Sequence, residues 1–126
     1  MLFFHTVAPN ITRASDLYLM ANLNEPFQLS FQVLDAAPNI SEGVVWWTFT
    51  SSKGVMNLSC DPSSAHSFSA DCLSLSIKEV QASDGGLYEI VAETRAGIGR
   101  SHVFVIVIGG EDWWYIHTYM HTECLF

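Results

Sequence analysis

Basic residues are scarce in this chain. Only 5 of its 126 residues are lysine or arginine, against 13 aspartate and glutamate residues, so the formal net charge is −8. The cations are scattered along the sequence, at Arg13, Lys53, Lys78, Arg95 and Arg100. Binding to nucleic acid or to an anionic membrane surface needs clustered positive charge, so the sequence predicts neither kind of partner.

Long apolar runs are missing as well. The run Val103 to Ile108 is far shorter than the ~20 residues that a membrane-spanning helix needs, so we expect no membrane insertion in this segment. Met1 to Ala8 is too short for a secretory signal and has no basic leading region. Two explanations stay open: the natural N-terminus lies upstream, or the protein is intracellular.

Catalytic motifs are absent from the sequence. It has no Gly-x-Ser-x-Gly elbow, no histidine beside a candidate nucleophile and no carboxylate pair placed for acid and base work. His117 and His121 would share one face of a helix, but no third metal ligand accompanies them. We therefore expect no enzyme activity, no small-molecule substrate, no metal and no cofactor.

Cysteine is rare and odd in number. Of the 3 cysteines, Cys60 and Cys72 flank a serine-rich loop, and Cys124 lies near the C-terminal end. An oxidising compartment would allow a Cys60–Cys72 disulfide that closes the loop, whereas the cytosol would keep two thiols. Their separation fits no zinc-ligand template. Both states of the pair stay open on the sequence.

Apolar alternation with a period of two is what the sequence has in quantity. From Phe27 to Val33, and again from Leu73 to Ile77, apolar residues alternate with serine or glutamine. Val45, Trp47 and Phe49 form a third such face. A period of two is typical of a strand with one buried face, so the sequence predicts an all-β protein.

The most specific motif is a spaced pattern around a polar, glycine-rich corner. It reads Leu75-x-Ile77-x-x-Val80-x-x-x-Asp84-x-Gly86-x-Tyr88-x-Ile90-x-Ala92-x-x-x-x-Gly97. This pattern resembles the E strand, the E–F corner and the F–G region of an immunoglobulin-like domain. The resemblance implies a two-sheet antiparallel β-sandwich with Greek-key topology.

The resemblance also implies structural roles for five residues. Asp84 and Tyr88 would pin the corner, with the Tyr88 hydroxyl bonded back to upstream backbone. Trp47 would be the core tryptophan of strand C. Phe31 and Ile90 stand where the family usually has its inter-sheet disulfide. The chain therefore resembles the intermediate type (I-set), some members of which lack that bridge.

The predicted organisation of the chain has three parts. Residues 1–12 form an N-terminal lead, residues 13–109 the immunoglobulin-like domain, and residues 110–126 an aromatic C-terminal tail or linker. Asp16 to Leu23 suits an edge strand ahead of strand B, and Glu93 to Gly97 suits the F–G turn. We expect the chain to be part of a larger multidomain protein.

Two sets of residues are candidates for function. N-glycosylation sequons occur at Asn10, Asn39 and Asn57, in segments that we interpret as loops or strand ends. The candidate protein interface is the surface formed by strands C, F and G, from which Trp46, Glu89 and Val91 should point outward. Trp46 has a second interpretation, which is burial under a neighbouring loop.

Two hypotheses for function follow from these features. The first is a non-catalytic recognition module, an extracellular cell-adhesion or receptor-type immunoglobulin domain that binds itself or another immunoglobulin-like domain. The alternative is an intracellular structural I-set spacer of a giant muscle or cytoskeletal protein. The sequons and the Cys60/Cys72 pair favour an extracellular or cell-surface location, whereas the missing inter-sheet bridge favours the alternative.

Overall fold

Two β-sheets packed face to face form the protein. The computed structural model describes residues 8–34, 44–60 and 66–109. The prediction of an all-β chain with two packed sheets is confirmed. Within the described residues the strands are β1 (Asn10–Arg13), β2 (Tyr18–Asn22), β3 (Phe27–Leu34), β4 (Val44–Ser51), β5 (Gly54–Leu58), β6 (Ser67–Phe68), β7 (Ser74–Ile77), β8 (Gly86–Thr94) and β9 (Gly97–Ile108).

The strands divide into a four-stranded and a five-stranded sheet. The four-stranded sheet has the order β1-β3-β7-β6, and the five-stranded sheet has the order β2-β9-β8-β4-β5. The long central strands β8 and β9 form a hairpin through the turn at Arg95 and Ala96. In that turn the Ala96 amide donates to the Thr94 hydroxyl at 3.1 Å. The hairpin fixes the register of the larger sheet.

One strand pair departs from the antiparallel prediction. The amide of Ala14 donates to the Ser30 carbonyl in the four-stranded sheet at 3.2 Å, and the Leu17 carbonyl accepts from the Phe104 amide in the other sheet at 2.8 Å. The chain thus changes sheets instead of folding back as a hairpin, and β2 lies parallel to β9. Because β1 begins at Asn10, the sandwich also starts ahead of the boundary predicted at residue 13.

The core lies between the inner faces of the two sheets. Trp47, Ile90 and Val103 are fully enclosed there. Removing such apolar surface from water stabilises the fold by roughly 25 cal/mol per Å². Side chains from both sheets contribute, and the cluster comprises Ile11, Ala21, Leu29, Phe31, Trp47, Phe49, Leu58, Leu75, Val80, Tyr88, Ile90, Ala92, Val103 and Val105.

The corner between β7 and β8 is pinned by one buried tyrosine. Tyr88 is 1% exposed, and its hydroxyl donates to the backbone carbonyl of Asp84 at 2.6 Å. The Asp84 carboxylate accepts from the Gln81 amide at 2.7 Å, which closes the short 3-10 turn Ala82–Asp84. Burial, and then the charge of Asp84, raise the pKa of Tyr88. The hydroxyl therefore stays protonated and able to donate.

Replacing this tyrosine tests the corner. Tyr88→Phe removes the hydroxyl and leaves the Asp84 carbonyl without its donor, so the free energy of unfolding should fall by about 1–3 kcal/mol in urea denaturation. Tyr18→Phe is the matched control. Tyr18 is 61% exposed, and loss of its hydroxyl should change stability by less than about 0.5 kcal/mol. Equal losses in the two variants would contradict the pinning role.

Candidate functional site

Trp47 of β4 is enclosed by aromatic rings from the opposite sheet. Its ring meets Phe31 of β3 at 5.3 Å and Phe68 of β6 at 5.5 Å between centroids, both edge-on. Ile90 lies opposite Trp47 in the β4–β8 register. Phe31 is 3% exposed and Ile90 is 0% exposed. These two apolar side chains therefore fill the core where the resemblance would put the inter-sheet cysteines.

The two sheets are instead joined at one edge by a disulfide. Cys60 follows β5 in the five-stranded sheet, Cys72 precedes β7 in the four-stranded sheet, and their Cα atoms lie 6.0 Å apart across the bridge. The indole Nε1 of Trp47 donates to the Cys72 carbonyl at 2.8 Å. The core tryptophan and the bridge thus hold each other in place. Structural disulfides form and persist in oxidising compartments.

The turn that carries Cys72 is held by its own side chains. The Asp71 carboxylate accepts from the Ser69 hydroxyl at 2.6 Å and from the Leu73 amide at 3.1 Å, and these bonds lower the pKa of Asp71. The Ser69 hydroxyl accepts in turn from the Ser74 amide at 3.0 Å. This network supports the left-handed backbone of Cys72, whose φ is 62°.

The outer face of the five-stranded sheet is apolar along β2 and β9. Tyr18 and Met20 are 61% and 62% exposed. Tyr18 stacks on Phe104 with 5.2 Å between ring centroids, and the His102 ring packs edge-on against Phe104 at 5.8 Å. Met20 lies opposite Ile106 in the parallel register. We call these five residues the β2–β9 face. An exposed apolar patch of this kind is typical of a binding surface.

The sequence analysis did not find this surface. Ala21 is buried and Leu19 packs against the core, so Tyr18 and Met20 alternate with them on the outside. The inward alternation at Leu19 and Ala21 predicts the strand but not this outer surface. The usable signal was an edge strand that is apolar on both of its faces, because an edge strand facing water is usually polar on its outer side.

The predicted interface lies on the same sheet, but the expectation that Val91 is accessible is wrong. Val91 is 2% exposed, although it is outside the core cluster. Its direct neighbours are Trp46 on β4 and Arg100 on β9, two large side chains that flank it on the outer face. Trp46 is half-buried, and the Glu89 carboxylate lies 3.8 Å from the Arg100 guanidinium. Only Trp46 and Glu89 stay partly accessible.

Two of the three sequon asparagines lie in the described part of the chain. Asn10 begins β1 and Asn57 is the penultimate residue of β5, and both are exposed. Each of these strands is at the edge of its sheet. Asn39 lies outside the described residues. The structure therefore puts the two described sequons on sheet edges and leaves the β2–β9 face without one.

Neither metal binding nor a membrane-spanning helix has a candidate in the ranges 8–34, 44–60 and 66–109. Those ranges contain no cluster of three or more His, Cys, Asp or Glu side chains that could hold a metal ion. They also contain no helix that is long and apolar enough to cross a membrane. His117, His121 and Cys124 lie outside them, together with the rest of the predicted tail.

No protein-family model and no curated protein matches this sequence. The case for function consequently depends on the geometry of the sandwich itself.

Removing the bridge tests its role. The double change Cys60→Ser and Cys72→Ser frees the loop in the unfolded chain and should lower the free energy of unfolding by about 2–4 kcal/mol. Equilibrium denaturation measures this loss. Cys124→Ser is the control for loss of a thiol, and it should leave Cys60 and Cys72 resistant to alkylation. Unchanged stability in the double variant would contradict a structural bridge.

The paired tryptophans give a second test. Trp47→Ala leaves a cavity between the sheets and removes the donor to Cys72, so it should cost about 3–5 kcal/mol. Trp46→Ala affects a half-buried side chain on the outer face and should cost clearly less. Thermal denaturation followed by circular dichroism compares the two. Equal destabilisation by the two substitutions would show that Trp46 stabilises the fold as Trp47 does, and would remove it as an interface candidate.

Proposed function

We propose that this protein is an immunoglobulin-like domain of the intermediate (I-set) type that recognises another protein outside the cell. The strand order supports the family. The orders β1-β3-β7-β6 and β2-β9-β8-β4-β5 match the A-B-E-D and A′-G-F-C-C′ sheets expected of such a domain, and this match supports the proposed Greek-key topology. The Tyr88 corner and the buried Trp47 of β4 add to this support.

The compartment is argued from the disulfide. A bridge between Cys60 and Cys72 would be reduced in the cytosol and retained after secretion. It also supplies the cross-link between sheets that the family otherwise has at its centre. The absence of a central disulfide therefore no longer favours the alternative function, the intracellular spacer. The exposed sequons at Asn10 and Asn57 agree with secretion.

The observation that carries the recognition role is the exposed β2–β9 face. Tyrosine, phenylalanine and methionine are the residue types that protein interfaces concentrate. Tyr18 is already held against Phe104, so it would lose little conformational freedom on binding. Met20 adds a flexible apolar contact beside it. Full burial of each such side chain contributes on the order of 1.5–3 kcal/mol.

The partner we propose is a second copy of this domain or another immunoglobulin-like domain. An apolar strip on the open face of a sheet can pack against the face of another sheet. Small molecules are bound in concave pockets, whereas this surface is the open side of a sheet. The basic residues of the chain do not cluster on it, which agrees with a partner other than nucleic acid.

The test is the double variant Tyr18→Ser and Met20→Ser in secreted, disulfide-bonded protein. Sedimentation equilibrium measures self-association, and surface plasmon resonance measures binding to other immunoglobulin-like ectodomains. The double variant should weaken the interaction at least about tenfold, which corresponds to ~1.4 kcal/mol. Ile98→Ser is the matched control, since Ile98 is a 46% exposed residue at the far end of β9.

Two results would contradict the proposal. The first is a double variant that binds as tightly as the wild type. The second is a wild-type protein that stays monomeric at high concentration and binds none of the ectodomains. A folded protein with a reduced Cys60/Cys72 pair after secretion would favour the intracellular spacer instead.

A further inference from the structure

We propose that Asn57 carries an N-glycan and that this glycan shields the open β5 edge of the five-stranded sheet. The inference rests on the secretory compartment of the proposed function, but it concerns the opposite edge of the sheet from the β2–β9 face. It adds a modification site with a physical role. It also explains which edge of the sheet is left for a protein partner.

The β5 edge lacks the devices that usually protect a sheet edge. Among the described residues β5 pairs only with β4, so no described strand pairs with its other side. Val55 is 70% exposed and Met56 is 54% exposed. No charge and no proline occur between Gly54 and Leu58. In natural proteins, lysine, proline, bulges or a covering segment protect the edge of a sheet. An apolar edge strand without them can pair with a strand of another chain.

The acceptor is well placed on this edge. Asn57 is exposed and lies opposite Thr48, which alternates with the buried Trp47 and Phe49, so the amide points to the outer face. Leu58 is buried and anchors the sequon to the core. Ser59, which completes the sequon, is exposed. The asparagine and the hydroxyl that a transferase must reach are therefore both on the surface.

The other edges are protected or serve another purpose. Asn10 lies on β1, a strand that itself ends on the charged residue Arg13, so that edge already has one of these protecting features. The strand β6 has only two residues, Ser67–Phe68. The nearer strand of the β2–β9 face, β9, lies three strand spacings from β5, about 14 Å away at ~4.8 Å per spacing, so we expect a glycan on Asn57 to leave that face open.

The modification is a glycosyl transfer. The Asn57 side-chain nitrogen displaces the diphosphate leaving group of a lipid-linked oligosaccharide at the anomeric carbon. A carbon–nitrogen bond forms, the glycosyl–phosphate bond breaks, the amide gives up one proton and the lipid diphosphate departs with the bonding electron pair. The reaction takes place in the secretory pathway, which supplies both the donor and the transferase.

The first experiment measures occupancy. The full chain is secreted behind a supplied signal peptide, and its intact mass is taken with and without N-glycosidase. Asn57→Gln and Ser59→Ala should each lose one glycan, because either change destroys the sequon. Asn22→Gln is the matched control, since Asn22 is an exposed asparagine on edge strand β2 without a sequon. A folded wild-type protein with a bare Asn57 would overturn the inference.

The second experiment measures whether the glycan on Asn57 weakens self-association. In sedimentation velocity, Ser59→Ala should self-associate at least about tenfold more tightly than the glycosylated protein. Adding Val55→Lys should abolish that gain, whereas adding Tyr18→Ser and Met20→Ser should not. Endoglycosidase trimming of the folded wild type to a single sugar is the second route, in case Ser59→Ala fails to fold. A trimmed or bare protein that associates no more tightly would overturn the shielding role.

These outcomes are separable from those of the proposed function. Failure of the β2–β9 face appears as unchanged binding of the Tyr18→Ser and Met20→Ser variant, whatever the state of Asn57. Failure of the present inference appears as an empty Asn57 or as an unchanged association state after deglycosylation, whatever the β2–β9 face does.

Discussion

The hydrogen bond from the Trp47 indole to the Cys72 carbonyl ties the centre of this sandwich to its edge. Phe31 and Ile90 fill the middle of the core but form no covalent link between the sheets. The link lies where β5 meets the β6–β7 turn, and Trp47 reaches it at 2.8 Å. The left-handed backbone of Cys72 and the bonds of Asp71 make that meeting point possible. The covalent link between the two sheets therefore lies at the edge of the sandwich and not at its centre.

Under the proposed function, this arrangement separates the residues that stabilise the five-stranded sheet from those that would bind a partner. The inner face and the bridge stabilise the fold, so the residue composition of the outer face can differ from one edge of the sheet to the other. At the β2 edge it is aromatic and apolar, with Tyr18 stacked on Phe104. At the β5 edge it has Asn57, the residue on which we propose an N-glycan. We interpret the first edge as the docking side and the second as the protected side of one recognition module.

Much of this fold could be predicted from local patterns, and the remainder depends on neighbours distant in sequence. A period of two was enough for the inward faces at Phe31, Trp47 and Ile90, because strand alternation is a local property. Burial of Val91 was not predictable in this way, since it depends on other strands of the sheet, in which Trp46 and Arg100 are its direct neighbours. The same holds for the parallel β2–β9 pair. The apolar outer side of β2 is visible in the sequence, but its pairing with β9 to form the β2–β9 face is not, because the two strands are distant in the chain.

Amide hydrogen exchange on the oxidised and the reduced protein tests the central claim, that the bridge beside Trp47 holds the two sheets together at this edge. Reduction should raise exchange first in β5 and in the turn from Ser69 to Ser74, while the amides of β8 and β9 stay slow. That pattern would establish the edge link as the element that holds the two sheets together at this end. Unchanged exchange around Cys72 after complete reduction of the bridge would contradict the account.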